Sequence, residues 1–172
     1  MSSNFVPSWG AVRRLQALMA LGWTPRELDA RIGRRTYDLM RAAYIRREAH
    51  EAVKRVYDEL WDVTPPDTPA ATRMRRKAER ERWPRPIEWD DDHLDLSPQE
   101  LDRVLTEMAE AMTLEQRRAC ADACYRHGER GLITLYAARM YRRETADREA
   151  HARRCRELRR RQRKQHEHAT AA

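Results

Sequence analysis

The chain has 172 residues, and its 35 lysine and arginine side chains outnumber its 28 aspartate and glutamate side chains, for a net charge of +7. A hydrophobic content of 41% is enough for small helical cores. Five glycines and a single phenylalanine argue against a β-sandwich or a barrel, so the composition predicts an all-α protein.

The sequence contains no signal for export or membrane insertion. No stretch approaches the roughly 18 apolar residues that span a bilayer, and the N-terminus lacks the charged start and apolar core of a signal peptide. The chain has three cysteines, an odd number, which argues against structural disulfides. We therefore expect a cytoplasmic protein that is not bound to a membrane.

The charge is distributed unevenly along the chain. Residues 1–64 and 65–89 each carry +3, residues 90–138 carry −6, and residues 139–172 carry +7. Basic side chains bind nucleic acids by releasing condensed counterions from the phosphates. The basic ends therefore indicate a polyanionic partner.

Helix starts are marked by capping residues at Thr24, Thr68, Ser97 and Thr113. Together with apolar residues at helical spacing, these caps predict four N-terminal helices over residues 8–21, 25–32, 35–43 and 47–61. A proline-rich break follows, and then a basic helix over 70–82. We expect an extended acidic connector next, docked by Trp83 and Trp89, and then helices over 98–112, 114–127, 132–141 and 143–165.

The second and third helices match a helix-turn-helix pattern in part. That pattern needs apolar residues at fixed positions, a small residue in the first helix and a glycine in the turn, because its two helices cross closely. With Gly33 as the turn glycine, Leu28, Ile32 and Leu39 occupy apolar positions. The region around Gly33 therefore predicts a DNA-binding corner within a four-helix domain over residues 1–64.

Three positions depart from the pattern. Asp29 stands where a small residue is usual, Arg34 replaces an apolar residue, and Ala42 is smaller than usual. We expect either that an ion pair with Arg34 or with Arg14 accommodates Asp29, or that the two helices cross at an angle that differs from the standard one.

The corner, the segment AVKRVYDELWD and the connector TPPDTPAATRMRRKAERERWPRPIEWDDDHLD resemble small helix-turn-helix proteins of actinobacteria and their phages. The resemblance covers residues 9–96 and is most specific in the connector, residues 65–96. It implies a phage-repressor-like domain that binds double-stranded DNA sequence-specifically, and hence a transcriptional regulator of bacterial or phage origin.

In such a domain the second helix of the corner enters the major groove by its N-terminal end. We expect Arg35 or Arg41 to contact a guanine with two hydrogen bonds, the commonest specific contact. Arg26 and the backbone amides near Thr24 are expected to hold a phosphate. The candidate DNA contacts of this region are Thr24, Arg26, Arg34, Arg35, Thr36, Tyr37, Met40, Arg41, Arg46 and Arg47.

The C-terminal module, residues 97–172, ends in a long basic helix and tail. A fainter helix-turn-helix match places Ala137 at the small position and Tyr141 at the glycine position. The segment is either a degenerate second helix-turn-helix or a plain arginine-rich helix. In either case Arg142, Arg143 and Arg148 are candidate DNA contacts.

Two other patterns have alternative interpretations. Cys120, Cys124 and His127, with His151 and Cys155, have helical spacing that would allow zinc binding, but cysteine also fills cores as a small apolar residue. The acidic run at residues 90–95 lacks the motifs that accompany catalytic carboxylates. We expect no metal, no cofactor and no enzymatic activity.

The sequence leaves an alternative function open, which is an RNA-binding or helical protein-interaction module with a basic tail. It also leaves open whether the protein forms a homodimer.

Overall fold

The computed structural model describes residues 4–129 and 131–170, and the side chains of these residues up to Arg159. The described chain is mostly helical, which confirms the coarse prediction of an all-α protein. The helices are α1 (Trp9–Leu21), α2 (Pro25–Ile32), α3 (Thr36–Arg41), α4 (Arg47–Leu60), α5 (Pro69–Glu81), α6 (Asp91–Leu94), α7 (Pro98–Ala111), α8 (Leu114–Asp122) and α9 (Leu132–Thr170).

Local capping residues determine where the N-terminal helices begin and end. Helix α1 ends at Gly22, whose φ of 116° is a left-handed conformation that disfavours residues with a Cβ. Helix α2 begins after Thr24, whose Oγ1 accepts a hydrogen bond from the Glu27 amide while the Glu27 carboxylate accepts one from the Thr24 amide. The observed bounds of α2 are those predicted from this capping box.

The core of the N-terminal part forms around α1, which contacts α3, α4, α5 and α6. Leu15 and Leu18 of α1, Leu28 of α2 and Val53 of α4 are fully buried in one cluster. Helix α4 thus covers the other helices with the apolar face predicted from its spacing.

Two short strands, which the sequence analysis did not predict, pair the segment before α1 with the segment between α3 and α4. Strand β1 (Phe5–Pro7) pairs in antiparallel register with β2 (Tyr44–Arg46), so that Phe5 lies opposite Arg46. Ile45 is buried and contributes to the core. Three-residue strands are too short to show a clear alternating pattern, which is why they were missed.

The acidic connector packs against α1 and is less extended than expected. It contains a 3-10 turn at Pro86–Glu88 and the short helix α6. Trp83 and Trp89 pack against the core, as predicted. Leu94 is only 1% exposed and belongs to the core cluster.

Two buried arginines of α1 hold this connector. Arg13 donates hydrogen bonds from Nη1 to the carbonyls of His93 and Leu94, at 3.2 and 3.0 Å, and also to that of Leu96. Its guanidinium also lies 5.6 Å from the ring centre of Trp89. Three backbone acceptors and one aromatic face thus surround a single buried cation.

Arg14 forms a two-pronged ion pair with Asp95, with 2.7 Å between Arg14 Nη2 and Asp95 Oδ2. These hydrogen bonds hold the pKa of Asp95 below its ordinary value. His50 Nε2 lies 3.6 Å from Asp95 Oδ1. The neighbouring Gly10 is necessary for this approach, because a Cβ there would lie 2.1 Å from Asp95 Oδ1.

The chain divides into two compact units. The first contains the residues up to Glu107 and also Leu132, and the second contains Met108–Glu129 and the residues from Ile133 onward. In the second unit, α8 is followed by a π-helical turn, Ala123–His127. Arg117 of α8 pairs with Glu144 of α9 at 3.4 Å. The thiol of Cys124 donates to the carbonyl of Thr134 at 3.8 Å.

The predicted break between two C-terminal helices is wrong, because α9 is a single helix from Leu132 to Thr170. A second helix-turn-helix would require a turn near Tyr141, so that hypothesis is corrected in favour of an arginine-rich helix. The physical reason is local: this segment contains neither glycine nor proline. Thr145 also donates to the carbonyl of Tyr141 at 2.9 Å, which satisfies its hydroxyl without interrupting the helix.

Within residues 4–129 and 131–170, no helix combines the length and the apolar character required to cross a bilayer.

Candidate nucleic-acid interface

Helices α2 and α3 are joined by a corner of three residues, Gly33, Arg34 and Arg35. Gly33 has a φ of 72°, and its amide donates to the carbonyl of Asp29 at 2.9 Å. A Cβ at Gly33 would have no heavy atom within 4 Å. Glycine is therefore favoured here by its left-handed backbone, and the expectation that it permits a close helix crossing is wrong.

Asp29 fixes the start of α3, although it does not belong to that helix. Its Oδ1 accepts a hydrogen bond of 2.6 Å from the backbone amide of Thr36, the first residue of α3. The predicted ion pair with Arg34 or Arg14 is not found: Arg14 pairs with Asp95, and Arg34 lies 3.8 Å from Glu48. Arg35 stands at the N-cap position of α3, but its side chain does not cap the helix. The Asp29 carboxylate takes over that role from the position in α2 where the pattern has a small residue.

Helix α3 has distinct inner and outer faces. Thr36, at 1% exposure, and Leu39 face the core, whereas Tyr37, at 59% exposure, and Arg41 face outward. Arg41 Nη1 donates to the Tyr37 hydroxyl at 2.7 Å, and the Arg41 guanidinium lies 5.2 Å from the centre of the Tyr37 ring. The two side chains therefore form one outward pair, one helical turn apart.

Two predicted contacts in α3 do not lie on its outer face. Thr36 is buried, so its side chain cannot reach a ligand, and its assignment as a DNA contact is corrected. Met40 is partly buried and packs against the core cluster. The Thr36 assignment failed because a six-residue helix has few outward positions, and the sequence alone did not fix which face was inner. The contact of Met40, whose side chain is partly exposed, stays a prediction.

The start of α2 is already occupied by a carboxylate. Glu27 Oε2 accepts from both the amide and the hydroxyl of Thr24, at 2.8 and 2.6 Å, and these hydrogen bonds lower the pKa of Glu27. A phosphate at the Thr24 amide would displace this anion. Arg26 is exposed beside it and is the remaining predicted phosphate contact at this end of α2.

Exposed arginines flank α3 on both sides in the sequence. Arg34, Arg35, Arg46 and Arg47 are all exposed. Residues 24–47 carry a net charge of +4, whereas residues 48–62, which cover the rest of α4 and the two residues after it, carry −3. The net positive charge is therefore concentrated on the corner before α3 and on Arg46 and Arg47 after it, because Asp38 balances Arg41 within α3.

Strand β2 also presents side chains that the sequence analysis did not single out. Tyr44 is 64% exposed and Phe5, on β1, is 53% exposed, while Ile45 between them in the ladder is buried. The only sequence signal for them was the alternation of exposed and buried types in YIR, which three residues cannot make distinctive.

The three C-terminal candidates lie on α9. Arg142, Arg143 and Arg148 are exposed, and Arg148 Nη2 lies 2.7 Å from Glu144 Oε1. After Thr145, every described residue of α9 up to Arg159 is exposed except Cys155. This part of the helix therefore presents its basic side chains to solvent.

The cysteines and acidic residues do not converge on a metal-binding arrangement in the part of the chain that the structure describes, where no group of three His, Cys, Asp or Glu side chains is suitably placed. Cys124 is buried, and burial raises the pKa of the Cys120 thiol. Cys155 Sγ lies 3.5 Å from His151 Nε2 on the same helix. Within the acidic run, Asp95 forms the ion pair with Arg14 of α1.

Comparison with known proteins identifies no relative: no family model, no curated protein and no solved structure matches this chain.

Proposed function

We propose that this protein binds double-stranded DNA sequence-specifically, with α2, the Gly33 corner and α3 acting as a helix-turn-helix. The observation that carries the proposal is the outward pair of α3, Tyr37 and Arg41, presented on the second helix of a three-residue corner. Helices of this size fit the major groove, where base edges carry a distinct pattern of donors and acceptors.

Arg41 is the residue we propose to read a base. Its hydrogen bond to Tyr37 uses one of the five guanidinium N–H donors and restrains the side chain. The other donors remain available for the O6 and N7 atoms of a guanine. Holding the guanidinium in place before binding reduces the entropy lost when the contact forms.

The surrounding arginines would supply phosphate contacts. Arg26, Arg34, Arg35, Arg46 and Arg47 are exposed on the positively charged region of residues 24–47. Arg35 directly precedes α3, so it is also a candidate for a base contact at the N-terminal end of that helix. We propose that Arg142, Arg143 and Arg148 of α9 add further phosphate contacts, which carry affinity but little sequence preference.

Such a protein would act as a transcriptional regulator. Selection of bound sequences from a random duplex pool tests this directly. We expect a recurring motif, and an inverted repeat within it would indicate that a homodimer binds. Recovery of no motif, together with equal binding to RNA and duplex DNA, would reject the proposal in favour of a general basic module.

Arg41→Ala tests the assigned reading residue on the selected site. We expect it to weaken specific binding by about 1 to 3 kcal/mol and binding to random duplex by much less. Arg55→Ala is the matched control, because Arg55 is an exposed arginine on the more acidic α4. Equal losses on both DNAs would make Arg41 a phosphate contact, and no loss on either would remove it from the interface.

A further inference from the structure

The outer face of the two-stranded sheet carries three large exposed side chains. The ladder places Phe5 opposite Arg46 and Pro7 opposite Tyr44. The Cβ atoms of directly opposed residues in such a ladder lie about 5 Å apart. Phe5, Tyr44 and Arg46 therefore form one small surface, which we call the sheet face, while Ile45 anchors the other side of the sheet in the core.

The sheet face is fixed to the end of α3. Only Ala42 and Ala43 separate Arg41 from Tyr44. Ser8 holds both alanines, because its amide donates to the carbonyl of Ala43 at 3.1 Å and its hydroxyl donates to that of Ala42. The position of the sheet thus follows that of α3, and a ligand bound by α3 would pass close to the sheet.

The chemistry of the sheet face fits a sugar-phosphate backbone. Arg46 and its exposed neighbour Arg47 supply positive charge, and the nearby Glu48 already lies 3.8 Å from Arg34. The phenyl and phenol rings offer apolar contact area of the kind that packs on deoxyribose, and the Tyr44 hydroxyl can donate to a phosphate oxygen. An anion with an apolar component suits this combination.

We propose that the sheet face binds the backbone of the same DNA duplex, immediately beside the groove that α3 enters. This inference rests on the proposed function and adds a second contact region to it. The contact would extend the bound site by a few base pairs on one side of the core motif, and it would carry no base preference of its own.

The test combines a change in the protein with a change in the DNA. Wild type and the variant Phe5→Ser/Tyr44→Ser are compared on the selected site with and without its flanking base pairs. We expect removal of the base pairs on the side that the sheet face contacts to weaken wild-type binding about tenfold and to have little effect on the variant. The variant should keep the ranking of core sequences, because α3 is unchanged.

Controls separate a lost contact from a lost fold. Ile87→Ser removes an apolar side chain that is 81% exposed in the connector, and it should change neither affinity nor flank dependence. Arg46→Gln leaves the apolar residues of the sheet intact. It should reduce the magnitude of the slope of log affinity against log salt by the amount expected for about one lost phosphate contact. Thermal unfolding of each variant shows whether the domain is intact.

The outcomes distinguish the two proposals. If wild type binds the selected site and loses its preference in Arg41→Ala, but neither sheet variant alters flank dependence or salt slope, the sheet proposal is wrong and the α3 proposal stands. If wild type shows no duplex preference, both are rejected. If the sheet variants instead abolish self-association of the free protein, the face binds a second copy of this chain, and the DNA assignment is overturned.

Discussion

At the scale of single residues, a carboxylate stabilises the start of α3 from outside that helix. Asp29 is seven positions before Thr36, yet its Oδ1 lies 2.6 Å from the Thr36 amide. The first amides of a helix have no partner within it, so an acceptor supplied by the preceding helix also sets the angle between the two. Asp29 thereby links the geometry of the corner to the stability of α3.

We predict that Asp29→Ala lowers the free energy of unfolding by about 1 kcal/mol, the usual effect of removing a cap. Denaturant unfolding measures this. Asp29→Asn is the control, since its side-chain oxygen can still accept the hydrogen bond. If the alanine and asparagine variants are equally stable, the hydrogen bond to Thr36 does not stabilise the domain.

The partly buried His50 makes the stability of the domain depend on pH. Burial lowers the pKa of His50, although the neighbouring Asp95 acts in the opposite direction, and Arg14, Glu51 and Lys54 also contribute. The unfolded chain therefore takes up a proton at a higher pH than the folded chain does. The contribution of neutral His50 to stability is therefore fully present above the ordinary histidine pKa of about 6.5. It is lost as the pH falls from there toward the lower pKa of His50 in the folded protein.

We predict that the free energy of unfolding of wild type declines between pH 7 and pH 5, and that His50→Gln reduces this decline. Chemical unfolding at several pH values provides the comparison. The lowered pKa of Asp95 acts at more acidic pH, because its stabilisation is lost only below the ordinary aspartate range of about 4. Identical slopes in the two proteins between pH 7 and pH 5 would contradict the assignment to His50.

At the scale of elements, the connector is a structural part of the N-terminal unit. Helix α6 inserts Leu94 into the core, and Arg13 and Arg14 bind the connector backbone and Asp95. Leaving either arginine without its acceptors would strand a buried charge, which is strongly destabilising. The acidic character of this segment is therefore explained in part by its attachment to α1.

We predict that Gly10→Ala destabilises the domain, although the same change in a helix normally stabilises it by up to about 1 kcal/mol. The added Cβ would lie 2.1 Å from Asp95 Oδ1 and would push α6 away from α1. Thermal unfolding tests the sign. In an Asp95→Ala background the obstacle is absent, so Gly10→Ala should become neutral or stabilising; destabilisation in both backgrounds would mean that Asp95 is not the cause.

At the scale of the whole molecule, the net positive charge is concentrated toward the C-terminal end of the sequence. Glu144 is held by Arg117, and Thr145 is the last partly buried residue before the exposed stretch. Residues 146–172 carry a net charge of +5. Residues 146–159 are exposed except for Cys155, so burial stabilises this part of α9 little, and we propose that it binds anions.

We predict that a chain ending at Thr145 binds every duplex more weakly and shows a smaller salt slope, with its preferred core site unchanged. Truncation at Arg139 would also remove Glu144 and leave Arg117 without its partner, so Thr145 is the better end point. A full-length variant with lysine in place of Arg153, Arg154 and Arg156 keeps the charge and should bind like wild type. Unchanged affinity and slope after truncation would show that this end does not contact DNA.

The sequence by itself determined the features that depend on neighbouring residues. The capping box at Thr24, the left-handed Gly33 and the apolar stripe of α4 act within one or two turns, so the bounds of α2 and most of α4 were predicted. The same local logic identified Arg41 and Tyr37 as candidates, and both lie on the outer face of α3.

Only the tertiary structure decided the features that depend on residues far apart in sequence. The pairing of β1 with β2, the hydrogen bond from Thr36 to Asp29 and the contact of Arg14 with Asp95 join positions that no helical or strand period relates. The burial of Thr36 likewise depends on which face of α3 meets α1. Local propensities act along the chain, whereas burial and the pairing of charged groups depend on how the elements pack, and this is why the outer face of the sheet could not be recognised from the sequence.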